Sequence, residues 1–412
     1  MENVWNIRKK EKLYYVLPEK FVQREPSKDV LRNTAIIIYL YYAEDVQKYL
    51  KYLQEIPTEI NVYIITSNKD ALDAITKYVN KMYHVTVIKK ENRGRDISAL
   101  LVAAKDIWFQ YDYLCFVHDK KPKKHAYLPD FNLWIDNIWN NMIKNEKYIV
   151  NVLDTLVNND ELGVLAPPEP IGEYMNAWYG NAWYGEYDKT KSLSKRLGLK
   201  ADIDIQYPPI ALSTAFWCKT QALLKLFDIS WSYEDFPPEP LPEYETISHA
   251  VERIFPYVAQ DAGYKTGIVM TSSYASEMFA YLQTELKTVF NFLEDEMQIK
   301  NIAGVKKYIR CKHVFENFCN ANEHIYIYGA GKIGKKCLQV LNSIKITPRA
   351  IVVSCVEDNV KMIDEIPVIS LAMLENKKDS AIIVAVGEKL TTEVRQKLID
   401  EGFVNYICYE DI

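Results

Sequence analysis

The chain has 412 residues, a length that favours two or three domains over one. Hydrophobic residues make up 49% of it and charged residues 25%, a balance that is typical of packed domains and excludes a disordered or fibrous protein. The 50 Lys and Arg residues against 55 Asp and Glu leave a net charge of −5, so no global positive field attracts nucleic acid or an anionic membrane. Any phosphate-binding site must therefore be local.

The seven cysteines are scattered without a C-x-x-C pair, so the sequence predicts neither a disulfide framework nor a zinc site, and a reducing cytoplasm fits best. The first twenty residues carry charges where a signal peptide needs an apolar core. The longest apolar stretch, around 35–43, is too short to span a bilayer. We therefore expect a soluble protein, or at most one that binds a membrane peripherally.

Apolar β-branched runs alternate with amphipathic segments through the first third of the chain. Because such alternation is typical of βαβ units, it predicts an α/β fold in which helices cover both faces of a parallel sheet. The predicted strands are 34–43, 61–68, 84–90 and 113–117, and the predicted helices between them are 45–55, 71–82 and one around 97–104.

The remainder of the chain predicts a loop at the near-duplicate NAWYG/NAWYG and a helix that ends near Gly263. Amphipathic helices follow, and their clustered basic residues form either a solvated face or a membrane-surface patch. A second α/β pattern begins at HIYIYGAGKIG. We therefore expect an N-terminal α/β domain (1–280), a helical connector (281–322) and a small C-terminal α/β domain (323–412).

Ligands of open parallel sheets bind outside the carboxyl ends of the strands, so residues after each predicted strand are candidate site residues. Asn92, Gly94, Arg95 and Asp96 follow one strand and open a helix, whose N-terminal amides favour an anion. Arginine matches phosphate oxygens in bidentate fashion, and Gly94 lets the backbone come close. This segment predicts a phosphate site; the alternative is a helix cap with solvated arginines.

A second cluster, His118, Asp119, Lys120 and Lys121, ends the next predicted strand. One carboxylate suffices for Mg²⁺ or Mn²⁺ when ligand phosphates supply other oxygens, so Asp119 is the candidate metal ligand. Alternatively, the two lysines neutralise a diphosphate directly, without a metal. His118 is either a ligand contact or a strand-end histidine bonded to a neighbouring loop.

The chain between roughly 34 and 273 resembles the rhamnan synthesis protein F family of bacterial surface-polysaccharide enzymes. The resemblance is carried, in order, by VIKKENRGRDISALLVAAKDIWFQYDYLCFVHDKK, LGVLAPPEP, AFWCK, YEDFPPEP and HAVERIFPYVAQDAGYKT. That family is similar to GT-A glycosyltransferases, in which an N-x-G segment opens a helix and an aspartate-rich motif holds a nucleotide diphosphate through a metal. Asn92 and Gly94 match the first motif, whereas His118-Asp119-Lys120 departs from the D-x-D pattern.

The resemblance implies a GT-A-like domain that transfers a sugar, with rhamnose as the expected one, from a nucleotide-sugar donor to a lipid-linked or polysaccharide acceptor. An inverting transfer needs a general base near the acceptor hydroxyl. The candidates are Asp235 in the YEDF loop, and His249 and Glu252, which are three residues apart on one helix face. The alternatives are a turn residue for Asp235 and ordinary surface charge for Glu252.

The aromatic loop holds the candidate acceptor contacts, Trp178 and Trp183. Exposed rings between glycines can stack on sugar faces, and a packed lid is the equal alternative.

Gly329, Gly331 and Gly334 fit the G-x-G-x-x-G pattern, with a predicted strand before them and a helix after. We expect a Rossmann-like nucleotide-binding turn, as in the half-Rossmann domains of sugar-modifying enzymes that this part resembles. The second strand ends in Ser354-Cys355, where an NAD-binding fold usually places an acid, so NAD is not expected. A docking domain without a ligand is the alternative.

Two other functions stay open at this stage. One is a nicotinamide-dependent sugar-modifying enzyme built on the C-terminal turn, and the missing acid argues against it. The other is a non-catalytic glycan- or nucleotide-binding assembly protein, which the absence of donor hydrolysis or transfer would favour. The acceptor, the linkage and the oligomeric state are not predicted.

Overall fold

The computed structural model describes residues 14–121, 128–168, 183, 185–205, 213–241, 246–297, 299–357 and 359–412. The chain divides into two compact units, Met1–Tyr281 and Leu282–Ile412, and each is described by itself. Both units contain a parallel-rich sheet with helices packed on it, so the predicted α/β class is confirmed.

The sheet of the first unit is built from short apolar strands. All six residues of TAIIIY in the second strand are buried, because a β-branched run of this kind suits a strand that is covered on both faces. The described strands are β1 (Tyr14–Leu17), β2 (Thr34–Tyr39), β3 (Asn61–Thr66), β4 (Val85–Lys89), β5 (Tyr113–His118), β6 (Leu162–Ala166), β7 (Phe216–Lys219) and β8 (Lys265–Thr271). Sequence analysis did not predict β1, which has only four residues.

The strand order is β1-β8-β6-β7-β5-β2-β3-β4, and β7 runs antiparallel to β5 and β6 while the other neighbours are parallel. From β2 the chain builds outward through β3 to β4, and then returns to place β5 on the other side of β2. The carboxyl ends of β2 and β5 therefore lie at a topological switch point, where open sheets leave a crevice for ligands.

Helices cover both faces of this sheet. Successive residues of β2 enter different cores, because side chains alternate along a strand: Ile36 packs with Trp139 on one face, and Ile37 packs with Trp108 and Phe255 on the other. The helices of this unit are α1 (Lys28–Arg32), α2 (Val46–Leu50), α3 (Lys69–Val79), α4 (Arg95–Ser98), α5 (Lys105–Trp108), α6 (Leu128–Ile143), α7 (Glu146–Val157), α8 (Tyr187–Arg196) and α9 (Ile247–Asp261). Helix α10 (Ser272–Met297) begins in this unit, and its residues from Leu282 onward belong to the second.

The long helix α10 starts directly after β8, and Glu19 caps it. The Glu19 carboxylate accepts hydrogen bonds from Ser272 N (3.1 Å), Ser272 Oγ (2.7 Å) and Ser273 Oγ. Burial alone would raise the pKa of Glu19, but these hydrogen bonds outweigh it and lower the pKa to about 2. In the part of the chain that the structure describes, no helix is both long and apolar enough to cross a membrane.

The second unit has a six-stranded sheet in the order β11-β12-β10-β9-β13-β14, in which β11 alone is antiparallel to its neighbour. Helix α11 buries Cys311, Phe315 and Cys319 in the core of this unit, so this part of the predicted connector belongs to the second unit. The elements are α11 (Ile302–Asn320), β9 (His324–Tyr328), α12 (Lys332–Ser343), β10 (Ala350–Val353), β11 (Met362–Ile363), β12 (Ile366–Ser370), β13 (Ser380–Val384), α13 (Glu388–Asp400) and β14 (Tyr406–Cys408).

Candidate functional site

Asp119 lies at the switch point of the first unit, immediately after β5. Its Oδ2 accepts hydrogen bonds from the backbone amides of Tyr41 and Tyr42, both at 2.8 Å, and so ties the end of β5 to the end of β2. Its Oδ1 is buried and has no hydrogen-bond partner among the residues that the structure describes. Burial raises the pKa of Asp119, although the two backbone hydrogen bonds oppose the rise.

A lone carboxylate oxygen of this kind fits a hard cation such as Mg²⁺ or Mn²⁺, which accepts a single protein carboxylate when phosphates supply other oxygens. Asp119 Oδ1 is the atom that would bind it. Across the described ranges there is no group of three His, Cys, Asp or Glu side chains that could hold a metal. A cation at Asp119 would therefore need oxygen ligands from a phosphate.

His118 is fixed by its neighbours. Its Nδ1 lies 2.8 Å from the carbonyl oxygen of Asp119 and its Nε2 lies 2.7 Å from the carbonyl oxygen of Ser213. Asp96 Oδ2 is 3.8 Å from the same Nε2. The ring thus bonds to a neighbouring loop, as one of the two sequence interpretations has it.

Glu252 on α9 faces this cluster. Its carboxylate is only 14% exposed, and Arg253 Nη1 donates to its Oε2 at 3.2 Å. Burial raises the pKa of Glu252; Arg253, Lys120 and His118 oppose the rise, and the charge of Asp96 adds to it. The structure therefore brings together four predicted site residues, Asp96, His118, Lys120 and Glu252. A carboxylate with a raised pKa is a stronger base than an ordinary glutamate.

The turn before α4 is held by the proline-rich loop that follows residue 233. Gly94 has φ +70° and lies under Phe236, whose ring would be 2.5 Å from any added Cβ, so only glycine fits there. Arg93 Nε donates to the carbonyl of Phe236 at 2.6 Å. Arg95 donates from Nε and Nη2 to the two carboxylate oxygens of Glu239, both at 3.2 Å. The phosphate-site candidates thus lie on a braced turn, and Arg95 already has one carboxylate partner.

Asn92 is exposed and accepts a hydrogen bond from Ser67 Oγ at 3.2 Å, which places it beside the end of β3. Lys120 and Lys121 differ in their surroundings. Lys121 pairs with Glu44 and lies 3.5 Å from Asp45, whereas the Lys120 ammonium lies 4.4 Å above the ring of Trp134. Lys121 is therefore largely neutralised by acidic partners, and Lys120 faces the carboxylate of Glu252.

The other two candidate bases have different contacts. Asp235 accepts from Ser232 N at 2.9 Å and from Arg196 Nη2 at 3.1 Å, and these bonds, against the effect of burial, lower its pKa, which suits a turn-capping residue better than a base. His249 Nδ1 lies 2.9 Å from Thr246 Oγ1 and 3.7 Å from Glu186 Oε1. The spacing of His249 and Glu252 predicts a shared site, and their common contact is Arg253, whose Nη1 donates to the His249 carbonyl at 2.9 Å and to Glu252 Oε2 at 3.2 Å.

Of the two candidate acceptor residues, Trp178 lies outside the described residues. Trp183 is 7% exposed, donates from Nε1 to the carbonyl of Ile205 at 3.0 Å, and stacks on Tyr257 with ring centroids 6.3 Å apart. The ring is therefore packed, as the lid interpretation of this loop has it.

Lys90, which sequence analysis missed, is bonded to the backbone of the turn before α4. It is 5% exposed and donates to the carbonyls of Glu91 (2.7 Å) and Arg93 (3.0 Å), between the rings of Tyr39 and Tyr233. Burial lowers the pKa of Lys90 to about 8, against the charges of nearby carboxylates. A lysine directly after an apolar strand reads as ordinary surface charge, so no sequence signal marked it.

In the second unit, the three glycines of the G-x-G-x-x-G pattern form the turn between β9 and α12. Gly329 has φ +119°, and a Cβ on it would lie 2.6 Å from the carbonyl oxygen of Ala385. A Cβ on Gly334 would lie 1.9 Å from the carbonyl oxygen of Gly329, whereas a Cβ on Gly331 would meet nothing within 4 Å. Two glycines therefore permit the close turn and helix packing, and Gly331 faces open space where a ligand can approach the backbone.

The fold and the groups at the ends of β2 and β5 define a mixed α/β protein with acidic and basic residues at its switch point. The chain belongs to the rhamnan synthesis protein F family, whose profile matches residues 1–264. This membership connects the chain with polysaccharide synthesis, the process to which the predicted function belongs.

The chain is also similar to individual proteins. It is 25% identical over 244 residues to the uncharacterized protein WxcX of two strains of Xanthomonas campestris pv. campestris, in a match that covers 58% of this chain and 33% of the relative. The chain thus spans about a third of the length of these curated relatives. Among solved structures it is similar to TarS of S. aureus, with a TM-score of 0.29 and 11% identity over 61% of this chain and 63% of that chain.

Proposed function

We propose that the chain is a glycosyltransferase that moves a sugar, with rhamnose as the first candidate, from a nucleoside-diphosphate donor to a growing bacterial surface polysaccharide. The observation that carries the proposal is that the buried Glu252 interacts electrostatically with Asp96 at the start of α4 and with His118, the neighbour of Asp119, in a chain of the rhamnan synthesis protein F family. In this proposal the first unit is a GT-A-like domain of a cytoplasmic protein. Its partners are the donor and a lipid-linked or polysaccharide acceptor.

The proposed roles follow from charge and burial. Arg95 and the amides of the turn bind the donor diphosphate, because the guanidinium fork matches phosphate oxygens. Glu252 removes the proton from the acceptor hydroxyl as the new bond forms from the acceptor oxygen to the sugar C1, while the bond from C1 to the diphosphate breaks. Lys120 stabilises the negative charge of the departing diphosphate. The inverting course assumed here is part of the proposal.

The experiment that tests the function is a titration of the full chain with a panel of nucleotide sugars by calorimetry, followed by a transfer assay with the donor that binds most tightly. The proposal expects one donor to bind and to be consumed only when an acceptor glycan is present. Binding of a donor or glycan without transfer under any acceptor condition would favour the non-catalytic assembly protein instead.

A divalent cation is a separate part of the proposal. A cation bound at Asp119 Oδ1 would neutralise diphosphate charge, so excess chelator should abolish transfer and added Mg²⁺ or Mn²⁺ should restore it. Asp119→Asn should lower turnover by about 10²-fold or more, which corresponds to about 2.7 kcal/mol on the barrier. Full activity in chelator, together with an inactive Lys120→Ala variant, would assign charge stabilisation to the lysine.

For the second unit we propose a nucleotide or nucleotide-sugar site at the glycine turn, without redox chemistry. The open space at Gly331 supports it. Tyr328 Oη lies 2.5 Å from Ser354 Oγ at the end of β10, so a hydroxyl pair occupies the place where NAD-binding folds usually carry an acid.

A further inference from the structure

Exposed apolar side chains form a row along α10. Phe279, Leu282, Leu286, Val289 and Phe292 are between 37% and 65% exposed, and we call these five residues the α10 stripe. Their spacing places them on one side of the helix. A single exposed apolar residue needs no explanation, but a continuous row of five large ones on one helix marks an interaction surface.

The spacing of the stripe indicates what covers it. Phe279, Leu282, Leu286 and Val289 follow one another at steps of three and four residues, and Leu293 continues the pattern. This is the a and d spacing of a heptad repeat, whose average of 3.5 residues keeps one apolar row facing a partner helix. The stripe is therefore suited to another helix of the same period.

The charge of α10 argues against a lipid surface as the partner. The helix carries one basic residue, Lys287, against five acidic residues, which leaves −4, and the acidic residues are Glu277, Glu285, Glu294, Asp295 and Glu296. Helices that lie on anionic bilayers carry Lys and Arg on their polar face. This helix would be repelled from such a surface.

We propose that the α10 stripe is the contact between two copies of this chain, in which two α10 helices pack side by side. The same stripe serves both copies, because a two-fold interface is self-complementary. Five partly exposed large side chains offer on the order of 500 Å² per copy, or about 1,000 Å² in total, which lies at the lower limit of specific interfaces. Because each α10 carries a charge of −4, the two helices also repel one another, so the dimer is weak and forms and dissociates with protein concentration. This inference does not depend on the proposed function.

Sedimentation velocity on the full chain tests the proposal over a range from about 1 to 100 μM, where a contact of this size should dissociate and form. The parent should shift from monomer to dimer with rising concentration. Leu286→Glu should remain monomeric throughout, because it places a charge in the centre of the stripe. The matched control is Asn291→Glu, which adds the same charge at an exposed position off the stripe and should dimerise like the parent.

Several outcomes would overturn the proposal. A parent that is monomeric at every concentration excludes the contact, and a Leu286→Glu variant that dimerises like the parent places the contact elsewhere. Flotation with phosphatidylglycerol vesicles by a monomeric parent, lost in Leu286→Glu, would assign the stripe to lipid. Circular dichroism checks that each variant keeps its helix content. Should Leu286→Glu fail to fold, Val289→Glu tests the same contact.

Discussion

Glu252 is the side chain on which chemistry at the crevice should depend most. Glu252→Gln keeps the size of the side chain and removes the base, so transfer turnover should fall by about 10²-fold or more while donor affinity is kept. The base must be ionised to act, and burial raises its pKa. Activity of the parent should therefore rise with pH through a value above the ordinary glutamate range, and this limb should be absent from the residual activity of the variant.

The control for this prediction is Glu161→Gln. The Glu161 carboxylate is exposed, pairs with Lys265 and lies outside α9. This variant should leave both the turnover and the pH profile unchanged. Parent-like turnover in Glu252→Gln would remove Glu252 from the mechanism.

Arg95 should contribute to donor affinity more than to stability. Loss of a charge-assisted hydrogen bond to phosphate costs about 1.5 to 3 kcal/mol, so Arg95→Ala should weaken nucleotide-sugar binding by about tenfold or more. Its pairing with Glu239 is half-exposed and stabilises little, so the melting temperature should hardly change. Glu239→Gln is the matched control: it removes the same ion pair, keeps the guanidinium, and should not weaken binding. Equal affinity in Arg95→Ala and the parent would leave Arg95 a structural role alone.

At the scale of single residues, sequence patterns predicted where the candidate site residues lie on strands and helices, but not the contacts that those residues make. The position of Asp119 at a strand end and that of Glu252 on a helix follow from local periodicity. The bond from Arg93 to Phe236 and the packing of Gly94 under that ring join positions more than 140 residues apart, and no local pattern encodes such contacts. Lys90 was missed for the same reason, because it is buried between Tyr39 and Tyr233, which are far from it in the sequence.

At the scale of elements, the start of α10 depends on Glu19. Its carboxylate has a lowered pKa, about 2, so the contribution to stability is fully present above the ordinary glutamate value and is lost as the pH falls toward 2. Solvent screening reduces the stabilisation that this shift implies, to on the order of 1 kcal/mol. Glu19→Gln should therefore lower the free energy of unfolding near neutral pH by about this amount, measured by urea denaturation.

The difference in free energy of unfolding between the parent and Glu19→Gln should become smaller in acid, because the parent then loses its ionised carboxylate. Glu55→Gln, at an exposed position, is the control and should show no such pH dependence. A constant gap from neutral pH to about pH 2.5 would show that the carboxylate charge is not what holds the helix.

Two glycines at the turn of the second unit allow folding and binding to be tested separately. Gly334→Ala should destabilise this unit, because its Cβ would overlap the carbonyl of Gly329, whereas Gly331→Val should fold normally, since its side chain meets open space. If a nucleotide approaches the backbone at Gly331, the valine should abolish its binding. Thermal melting and nucleotide titration of the full chain measure the two effects. Absence of nucleotide binding by the parent would favour the docking alternative.

Element types were predicted where the period was long and regular, as in β2 to β5, and missed where an element was short. The four residues of β1 give too little alternation to register as a strand. They become a strand because β8 offers a free edge, with Tyr14 paired to Ile268. Trp183 illustrates the converse: its sequence context suits an exposed ring, and tertiary packing against Tyr257 buries it.

At the scale of the whole molecule, the family match covers residues 1–264, which is most of the first unit, and the second unit lies beyond the matched residues. The fold class could be predicted for both units, because strand and helix periods are local. The function could be predicted only at the level of the family, because the identity of a sugar is decided by a few contacts that neither period nor composition encodes.

The pairing of β1 with β8 also fixes an order of events during synthesis. β1 emerges from the ribosome first, and its partner strand emerges after more than 240 further residues, as the pairing of Leu17 with Thr271 shows. At ordinary rates of translation, this delay is on the order of tens of seconds. Throughout it the growing chain carries an unpaired β1, and once β7 has joined β6 to the sheet it also carries an unfinished edge beside β6. Unpaired strands and edges are targets for chaperones and for wrong partners. We therefore expect the yield of this protein to depend on the speed of its translation and on chaperone supply, even in variants whose finished fold is equally stable.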